Sequence, residues 1–242
     1  MNVYETADIG TLLKNNPYPG RGILIGTAPG GEYAVCAYFI MGRSENSRNR
    51  EFRLEGETLR TVPHDPARVE DPALIIYRAV QRVGHDLVVT NGDQTDTICD
   101  GLVAGKSFSQ ALAARCFEPD APHFTPRISG ILHFGTPFSY EMSILKSADA
   151  AGSACARYTF SFPAVAGVGH FLHTYMGDGT PLPTFTGEPV RVALSDDSAS
   201  FAATLWESLN GENRIALYVR YTSLSDGSYT DRIYQRHIPE NG

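Results

Sequence analysis

Apolar, β-branched and aromatic residues occur along most of the chain in short runs that are separated by turn sequences. Residues 22–26 and 33–41 are almost entirely apolar and flank Pro29-Gly30-Gly31, which predicts a β-hairpin buried on both faces. The same reasoning predicts strands at residues 52–54, 58–62, 74–83, 87–90, 128–134, 140–145, 156–162, 168–175, 214–224 and 229–238. For residues 74–83 a short helix that enters a strand is the alternative, and the β-branched side chains favour a strand.

Three segments carry helical signals instead. Residues 95–104 have apolar side chains at helical spacing, and Ser107 and Gln110 form the sequence of a capping box. Asp196-Asp197 precedes a segment with one apolar helical face, formed by Phe201, Leu205, Trp206 and Leu209.

The order of these elements is strands, two helices, strands, one helix and strands. Because hairpins connect most of the strands, we expect antiparallel sheets whose outer faces are covered by helices. The chain has no change of composition that would mark a linker, and it has no internal repeat. We therefore predict one α+β domain over residues 1–242, in which residues 1–16 form a short polar lead-in.

The charge of the chain argues against one class of partner. Its 242 residues contain 27 acidic and 20 basic side chains, a formal net charge of −7, so a broad basic face for nucleic acid is not expected. Seventeen of the basic residues are Arg and three are Lys. A local cluster of Arg is still compatible with one bound phosphate group.

The sequence gives no sign of a metal, a membrane span or an export signal. The four cysteines lie far apart, with no neighbouring histidine at metal-ligand spacing, at Cys36, Cys99, Cys116 and Cys155. We expect most of them to be small buried side chains. His170 and His173 would lie on opposite faces of a strand, which argues against shared metal ligation. No signal peptide and no run of roughly 18 apolar residues is present, so we predict a cytoplasmic protein.

Residues 42–50 contain a candidate anion site. This segment follows an apolar strand and carries Arg43, Arg48 and Arg50, with hydroxyl and amide side chains between them. Guanidinium groups match phosphate oxygens in a bidentate manner, and loops at strand ends often carry function. A solvated surface loop is an equally good interpretation of this pattern alone.

Two further segments combine polar side chains with an element boundary. Residues 90–97 run from a buried strand into a helix N-terminus, where free N–H groups favour an anion or a carbonyl oxygen. Simple capping of the helix is the better interpretation of that segment. Glu118 follows a helix and Arg127 precedes a strand, so they could form a base and its partner, although such pairs are usually structural.

Together these motifs resemble the archaeal-type IMP cyclohydrolase family. The matching pieces, in chain order, are residues 20–26, Arg43-Ser44 with Asn49-Arg50, Tyr77, residues 88–92, residues 95–98, the Glu118 turn and residues 125–128. The resemblance implies a four-layer α/β/β/α sandwich like that of the N-terminal-nucleophile hydrolases, which agrees with the predicted element order. Two departures are a longer Arg43–Arg50 loop and Asp93-Gln94, where archaeal members tend to carry Ser-His.

The resemblance also implies an activity, which is the last step of de novo purine biosynthesis. In this reaction 5-formamidoimidazole-4-carboxamide ribonucleotide (FAICAR) closes to IMP with loss of water, without a metal or other cofactor. The enzyme would be a cyclohydrolase of the class that acts on carbon–nitrogen bonds in cyclic amidines. Its partner would be a purine ribonucleotide.

Residue roles follow from the same resemblance. Arg50, with Arg43 and Arg48, would bind the phosphate or polarise a carbonyl, and Tyr77 and Asn91 would bond the formamide and carboxamide. Glu118 would orient or deprotonate the carboxamide, so the predicted catalytic set is Tyr77, Asn91, Glu118 and Arg50. The predicted substrate-binding residues are Arg43, Ser44, Arg48, Asn49, Gly92, Thr95, Asp96 and Arg127, although for Arg127 a structural pair with Glu118 is the slightly better interpretation.

Two alternatives to this activity are compatible with the same motifs. One is an amide hydrolase or deaminase that acts on another purine-like nucleotide, and the other is a nucleotide-binding protein without catalysis. A homo-oligomer is possible, because the aromatic strand from Tyr218 to Tyr221 could form either a subunit contact or core.

Overall fold

The computed structural model describes residues 4–69 and 72–237, which form two antiparallel sheets and a small number of helices. The first sheet contains, from edge to edge, β11 (Val190–Ala193), β10 (Val168–His173), β1 (Arg21–Thr27), β2 (Tyr33–Met41), β12 (Arg214–Ser223) and β13 (Tyr229–Gln235). The second contains β3 (Glu51–Glu55), β4 (Thr58–Val62), β5 (Tyr77–Val83), β6 (Asp86–Thr90), β7 (Arg127–His133), β8 (Ser139–Ser147) and β9 (Cys155–Pro163). The predicted α+β class and antiparallel sheets are confirmed.

The two sheets face each other across a common hydrophobic core. On β2, Cys36, Tyr38 and Ile40 point into this core, whereas the alternate residues point to the opposite face. The run is therefore apolar at nearly every position because both of its faces are buried. Gly130 lies at a close approach of the two sheets, since a Cβ atom there would be 2.4 Å from Cδ1 of Ile25.

Helices cover the outer faces of both sheets. Their bounds are α1 (Ile9–Asn15), α2 (Glu45–Arg48), α3 (Pro72–Ile75), α4 (Gln94–Val103), α5 (Phe108–Leu112) and α6 (Ser198–Ser208), with a short 3-10 helix at Pro66–Arg68. α1 and α6 pack on the first sheet, where Leu13 and Leu205 contribute to one buried cluster. α4 and α5 pack on the second sheet, where Ile98 and Leu112 contribute to another.

The prediction that residues 1–16 form a polar lead-in is wrong for the described part of that segment. Ile9–Asn15 is helical, and the Asp8 carboxylate caps it by accepting a hydrogen bond from the Thr11 amide at 2.7 Å. Ile9 and Leu13 are buried in the cluster that the first sheet shares with α6. A helix this short is stabilised mainly by packing, so the sequence of the segment alone did not predict it.

Other boundaries differ more modestly from the sequence predictions. The segment at 74–83 is a short helix followed by a strand that begins at Tyr77, so the less favoured alternative is correct there. β11 and α2 were not predicted. The predicted last strand extends to residue 238, which lies outside the described residues.

Several expectations about burial can also be compared with the structure. Cys36 and Cys99 are buried as expected, whereas Cys116 is exposed and Cys155 is half-buried. The strand at 218–221 is core, because Tyr218 and Tyr221 are both buried. Within residues 4–69 and 72–237, no helix has the length and apolar character needed to cross a membrane.

Candidate active site

A pocket of about 310 Å³ opens where the ends of β1 and β2 meet three connecting segments. These segments are the loop with α2, the loop from Glu118 to Thr125, and the loop that follows β10. Their polar side chains face one another across the pocket. The charged lining residues are three arginines and two carboxylates, namely Arg21, Arg43, Arg50, Glu118 and Asp120. The lining therefore has a formal excess of one positive charge.

The α2 segment is folded by its own side chains. Ser44 accepts a hydrogen bond from the Ser47 amide at 3.1 Å, while the Ser47 hydroxyl accepts one from the Ser44 amide at 3.0 Å. This reciprocal capping box fixes a single helical turn. Gly42 is needed beside it, because a Cβ atom at that position would lie 2.4 Å from the Ser47 hydroxyl oxygen. As a result, Ser44 and Ser47 both line the pocket.

Arg50 lies at the deep end of the pocket and is only 3% exposed. Its guanidinium donates hydrogen bonds to the carbonyl oxygens of Ser47 and Met41, at 2.7 and 3.0 Å. Burial, followed by the nearby charge of Arg21, lowers the pKa of Arg50. Since its two partners are neutral carbonyls, Arg50 retains a positive charge that a bound anion could neutralise.

Arg21 and Glu118 form a buried ion pair next to Arg50. Nη2 of Arg21 lies 3.4 Å from Oε2 of Glu118, and their side chains are 12% and 5% exposed. Burial raises the pKa of the Glu118 carboxyl, and the charges of Arg21 and Arg127 counter only part of this effect. A buried carboxylate with a raised pKa has the properties of a candidate general base or acid.

A pair of tyrosines lies behind these charges. The hydroxyl groups of Tyr38 and Tyr77 are 2.8 Å apart, and both residues are buried. Burial, together with Tyr77, raises the pKa of Tyr38, whereas Arg21 and Arg50 act in the opposite direction. Tyr77 therefore lies close to the guanidinium groups but does not line the pocket itself.

Two polar atoms of the pocket residues have no partner within the described protein. They are Nε of Arg21 and Oδ1 of Asn46, both fully buried. Buried polar atoms are hydrogen-bonded in the great majority of cases, so such exceptions call for an explanation. Because both residues line the same pocket, a polar ligand bound there is a direct way to satisfy these atoms.

The structure brings four of the residues singled out in the sequence into this pocket: Arg43, Ser44, Arg50 and Glu118. Arg43 lies at the rim, where it pairs with Asp178, donates to the Gly179 carbonyl at 3.0 Å, and lies 5.1 Å from the centre of the Tyr18 ring.

Arg48 and Asn49, which were predicted to bind substrate, do not line the pocket. The Arg48 guanidinium donates to the Gly42 carbonyl and to Asn213, and it lines a separate cleft. The Asn49 amide exchanges two hydrogen bonds with the backbone of Asp65, at 2.7 and 2.8 Å. One helical turn rotates these two side chains away from the pocket.

Asn91, which was predicted to contact the substrate, does not line the pocket. Its side chain is fully buried; Nδ2 donates to the Pro126 carbonyl, and Oδ1 accepts from the Ile128 amide and from Gln94. These bonds join β6 to the start of β7, which is a structural role. The helix-capping interpretation of this region is not exact either, since Asp93 occupies the cap position without a side-chain cap bond.

The remaining predicted residues of this region also lie outside the pocket. The hydroxyl groups of Thr95 and Thr90 are 2.6 Å apart and buried, and Asp96 forms an ion pair with Arg78 at 2.8 Å. Gly92 does not line the pocket, but a Cβ atom there would lie 2.7 Å from Nη1 of Arg127. Gly92 is therefore required for close packing around Arg127.

Arg127 has different partners from the expected one. Its Nη1 donates to Asp93 at 2.7 Å and to Gln94 at 2.8 Å, whereas Glu118 pairs with Arg21. The expected Arg127–Glu118 pair is thus corrected, although the Arg127 charge still lowers the pKa of Glu118. Asp93-Gln94 has a clear structural use, which is to hold this guanidinium.

Sequence reasoning gave no role to Arg21, which the structure places at the centre of the site. Its only sequence signal is a single cation at the start of an apolar strand, within residues 20–26. Tyr38 and Tyr175 were missed as well, because each lies in a segment that was predicted only as a strand. No group of three or more His, Cys, Asp or Glu residues suited to a metal occurs in residues 4–69 and 72–237.

The fold and pocket define a class of protein, a two-sheet α+β protein with buried guanidinium groups and a buried carboxylate around a small polar cavity. The chain belongs to the family described as IMP cyclohydrolase-like protein, whose profile matches residues 18–236. This confirms the family that the sequence motifs indicated.

Individual relatives agree with the family match. An IMP cyclohydrolase of Methanopyrus kandleri is 36% identical over 115 residues, which cover 46% of this chain and 57% of that protein. An IMP cyclohydrolase of Methanocaldococcus jannaschii is 30% identical over 117 residues, covering 48% of this chain and 56% of that protein. One of Methanococcus aeolicus is 29% identical over 125 residues, covering 50% and 61%. The chain thus spans little more than half the length of these relatives.

Proposed function

We propose that the protein is an IMP cyclohydrolase, which closes FAICAR to IMP with loss of water. The observation that supports this most directly is the buried Glu118 carboxylate, paired with Arg21 beside Arg50 in a pocket with a positive excess. Family membership supplies the reaction, and the named relatives are IMP cyclohydrolases. The pocket supplies the groups that this reaction needs.

The 5′-phosphate of the nucleotide would bind at the rim of the pocket. Arg43 provides a guanidinium there, and Ser44, Asn46 and Ser47 of the α2 segment provide hydroxyl and amide groups. Charge-assisted hydrogen bonds from guanidinium to phosphate are stronger than those between neutral groups. This rim position directs the base of the nucleotide toward the deep end, where Arg21, Arg50 and Glu118 lie.

Ring closure joins two groups of one molecule, so the protein mainly has to orient them. The carboxamide nitrogen attacks the formyl carbon, a C–N bond forms, and the formyl oxygen becomes an oxyanion. Glu118 would take a proton from the carboxamide nitrogen as it attacks and give this proton to the oxyanion, which becomes a hydroxyl group. The proton of the formamide N–H would then pass through Glu118 to this hydroxyl group, so that the C–O bond breaks, the C=N bond of the new ring forms and water leaves. Because an amide nitrogen is a poor nucleophile, the first of these proton transfers is the step that most needs a base.

The developing oxyanion would be stabilised by the guanidinium groups at the deep end. Arg21 has an Nε atom with no partner in the described protein, and Arg50 is fixed by two backbone carbonyls. Fixed donors that face developing charge stabilise the transition state without reorganisation. Tyr77 is a positioning residue in this scheme, since its hydroxyl bonds Tyr38 behind the guanidinium groups.

The wider setting of the proposal follows from the family. The sandwich would be of the N-terminal-nucleophile-hydrolase type, its described layers running from α1 and α6 through the two sheets to α4 and α5. The reaction would take place in the cytoplasm and without a cofactor. A homo-oligomeric state is a prediction that sedimentation or gel filtration tests.

The direct test is to incubate the purified protein with FAICAR and follow IMP by its absorbance. We expect turnover, and we expect IMP to bind in a calorimetric titration. Binding of IMP without turnover would instead indicate a non-catalytic nucleotide-binding protein. Release of formate or ammonia without IMP would indicate an amide hydrolase or deaminase. The absence of both turnover and IMP binding would refute the assignment.

A further inference from the structure

The α2 segment separates the pocket from a second cavity on its other side, which we call the α2 cleft. Ser44, Ser47 and Arg50 face the pocket, whereas Glu45 and Arg48 line the α2 cleft. The cleft has a volume of about 690 Å³, against about 310 Å³ for the pocket. Its other lining residues come from the end of α2, from the segment around the 3-10 helix and from the residues after β13. They are Asn49, His64, Asp65, Pro66, Arg68, Arg236 and His237.

Three guanidinium groups line this cleft, and two of them have only neutral partners. Arg48 donates to the Gly42 carbonyl at 3.1 Å and to the Asn213 amide oxygen at 3.3 Å. Arg236 donates to the Glu212 carbonyl at 2.7 Å. Among residues 4–69 and 72–237 neither of them forms an ion pair, so their charges are not compensated by a carboxylate.

The carboxylates around the cleft already have partners, and one of them is paired with the third cleft arginine. Glu45 pairs with Arg68 at 2.9 Å, and the Asp65 carboxylate accepts the Ala67 amide at 3.0 Å as the cap of the 3-10 helix. Glu51, which bonds His64 at 3.2 Å, is also paired with Arg53. The positive charges of Arg48 and Arg236 therefore remain available to an anion that enters from solvent.

Two imidazole rings complete the cleft. The rings of His64 and His237 are stacked, with centroids 3.9 Å apart and planes inclined by 10°. Burial, followed by His64, lowers the pKa of His237, so this ring is neutral at neutral pH. A neutral imidazole has one N–H donor, and these rings already bond the Arg48 backbone and the Glu51 carboxylate, so they contribute a flat wall to the cleft.

From this arrangement we propose that the α2 cleft is a second ligand site, specific for a phosphate group carried by inorganic phosphate or by a nucleotide. Arg48 and Arg236 bind the phosphate oxygens, Arg68 adds a third guanidinium at the exposed side, and the stacked imidazoles form the wall of the site. The site does not depend on the proposed reaction, since none of these residues lines the pocket.

The test uses histidines as reporters in the full chain. The protein is labelled with ¹⁵N in its imidazole rings and titrated with inorganic phosphate, adenosine 5′-monophosphate or adenosine. We expect the His64 and His237 signals, assigned with His64→Gln, to shift to saturation with both phosphate-bearing ligands and not with adenosine. His123, which lines the pocket, reports binding there separately. Tighter binding of the nucleotide than of phosphate would identify a nucleotide as the source of the phosphate group.

A double variant supplies the energetic test. Arg68→Gln with Arg236→Gln should weaken phosphate binding at the cleft about tenfold or more, because charge-assisted bonds are lost. The matched control is Arg232→Gln, which replaces an exposed arginine on β13, the strand that leads to Arg236. This variant should bind phosphate as tightly as the unmodified protein does. If the double variant does not fold, Arg236→Gln alone replaces it. The proposal is refuted if His64 and His237 do not respond, or if the double variant and Arg232→Gln bind phosphate equally.

Discussion

The replacement Glu118→Gln tests the chemistry of the pocket most sharply. Glutamine keeps the size of the side chain and can still accept a hydrogen bond from Arg21, whose Nη2 lies 3.4 Å from Oε2 of Glu118. It cannot take a proton from the carboxamide of the substrate. The change therefore removes one chemical property and leaves the shape of the pocket intact.

The expected loss of rate can be estimated from the role assigned to this carboxylate. A positioned general base raises a reaction rate by about 100- to 10,000-fold. We therefore expect kcat to fall by that factor, which corresponds to an increase of about 3–5 kcal/mol in the activation free energy. Binding should change less. IMP is itself an anion, and loss of the Glu118 charge beside Arg21 and Arg50 should leave its affinity equal or slightly stronger.

The assay is steady-state conversion of FAICAR to IMP over a range of pH, with calorimetry for IMP binding. Because burial raises the pKa of Glu118, the rate of the unmodified enzyme should fall with decreasing pH already above the usual Glu value of about 4.3. The rate falls at low pH because a carboxylate can act as a base only when it is ionised. In Glu118→Gln this acidic limb should be missing.

The matched control is Glu207→Gln, which removes an exposed carboxylate on the outer helix α6. It should leave kcat, IMP affinity and the pH profile unchanged. Thermal unfolding of each variant shows that it is folded at the assay temperature. A Glu118→Gln enzyme that retains kcat within about twofold, or keeps the acidic limb, would refute the assignment of Glu118 as the base.

Three further predictions concern the rim, the packing and the pH dependence of stability. Arg43→Gln should weaken IMP binding about tenfold in calorimetry with little change in unfolding temperature, and an unchanged affinity would remove Arg43 from the phosphate site. Gly92→Ala should lower the free energy of unfolding by about 1–3 kcal/mol in urea, whereas Gly211→Ala, which has open space around its Cβ position, should not. The hydrogen bond to Glu141 raises the pKa of His133, so this stabilisation is complete below about pH 6.5 and is lost as the pH rises through the raised value. His133→Gln should therefore lower the unfolding temperature more at pH 6 than at pH 9, and an equal effect at both would contradict this.

The strands were predictable because buried strands consist of short runs of apolar residues, which can be recognised in the sequence. The run at 33–41 is apolar on both faces since one face meets the second sheet and the other meets the helices. Helix α1 was not predictable in the same way, because seven residues hold too few turns for a clear period. It forms where Ile9 and Leu13 are buried against neighbours distant in sequence.

The site was predictable only in part, for a related reason. A high density of guanidinium groups located residues 42–50, but the single turn of α2 decides that Arg50 faces the pocket and Arg48 does not. Arg21 could not be recognised from its neighbours, since its partner Glu118 lies 97 residues away in the chain. Asn91 looked available for a ligand, and only the structure shows its hydrogen bonds to the start of β7.

The departure at Asp93-Gln94 can now be interpreted in terms of the base. These two residues bind Arg127, and the Arg127 charge in turn lowers the pKa of Glu118 against the larger effect of burial. Asp93 and Gln94 therefore affect the Glu118 carboxylate indirectly, through Arg127, whereas Arg21 forms the ion pair with it. We therefore expect a different pair of residues at 93–94 to be compatible with the proposed base, provided that Arg127 stays in place. On this reasoning the proposed chemistry would depend on the two guanidinium groups that act on Glu118 more than on the identity of the residues that hold them.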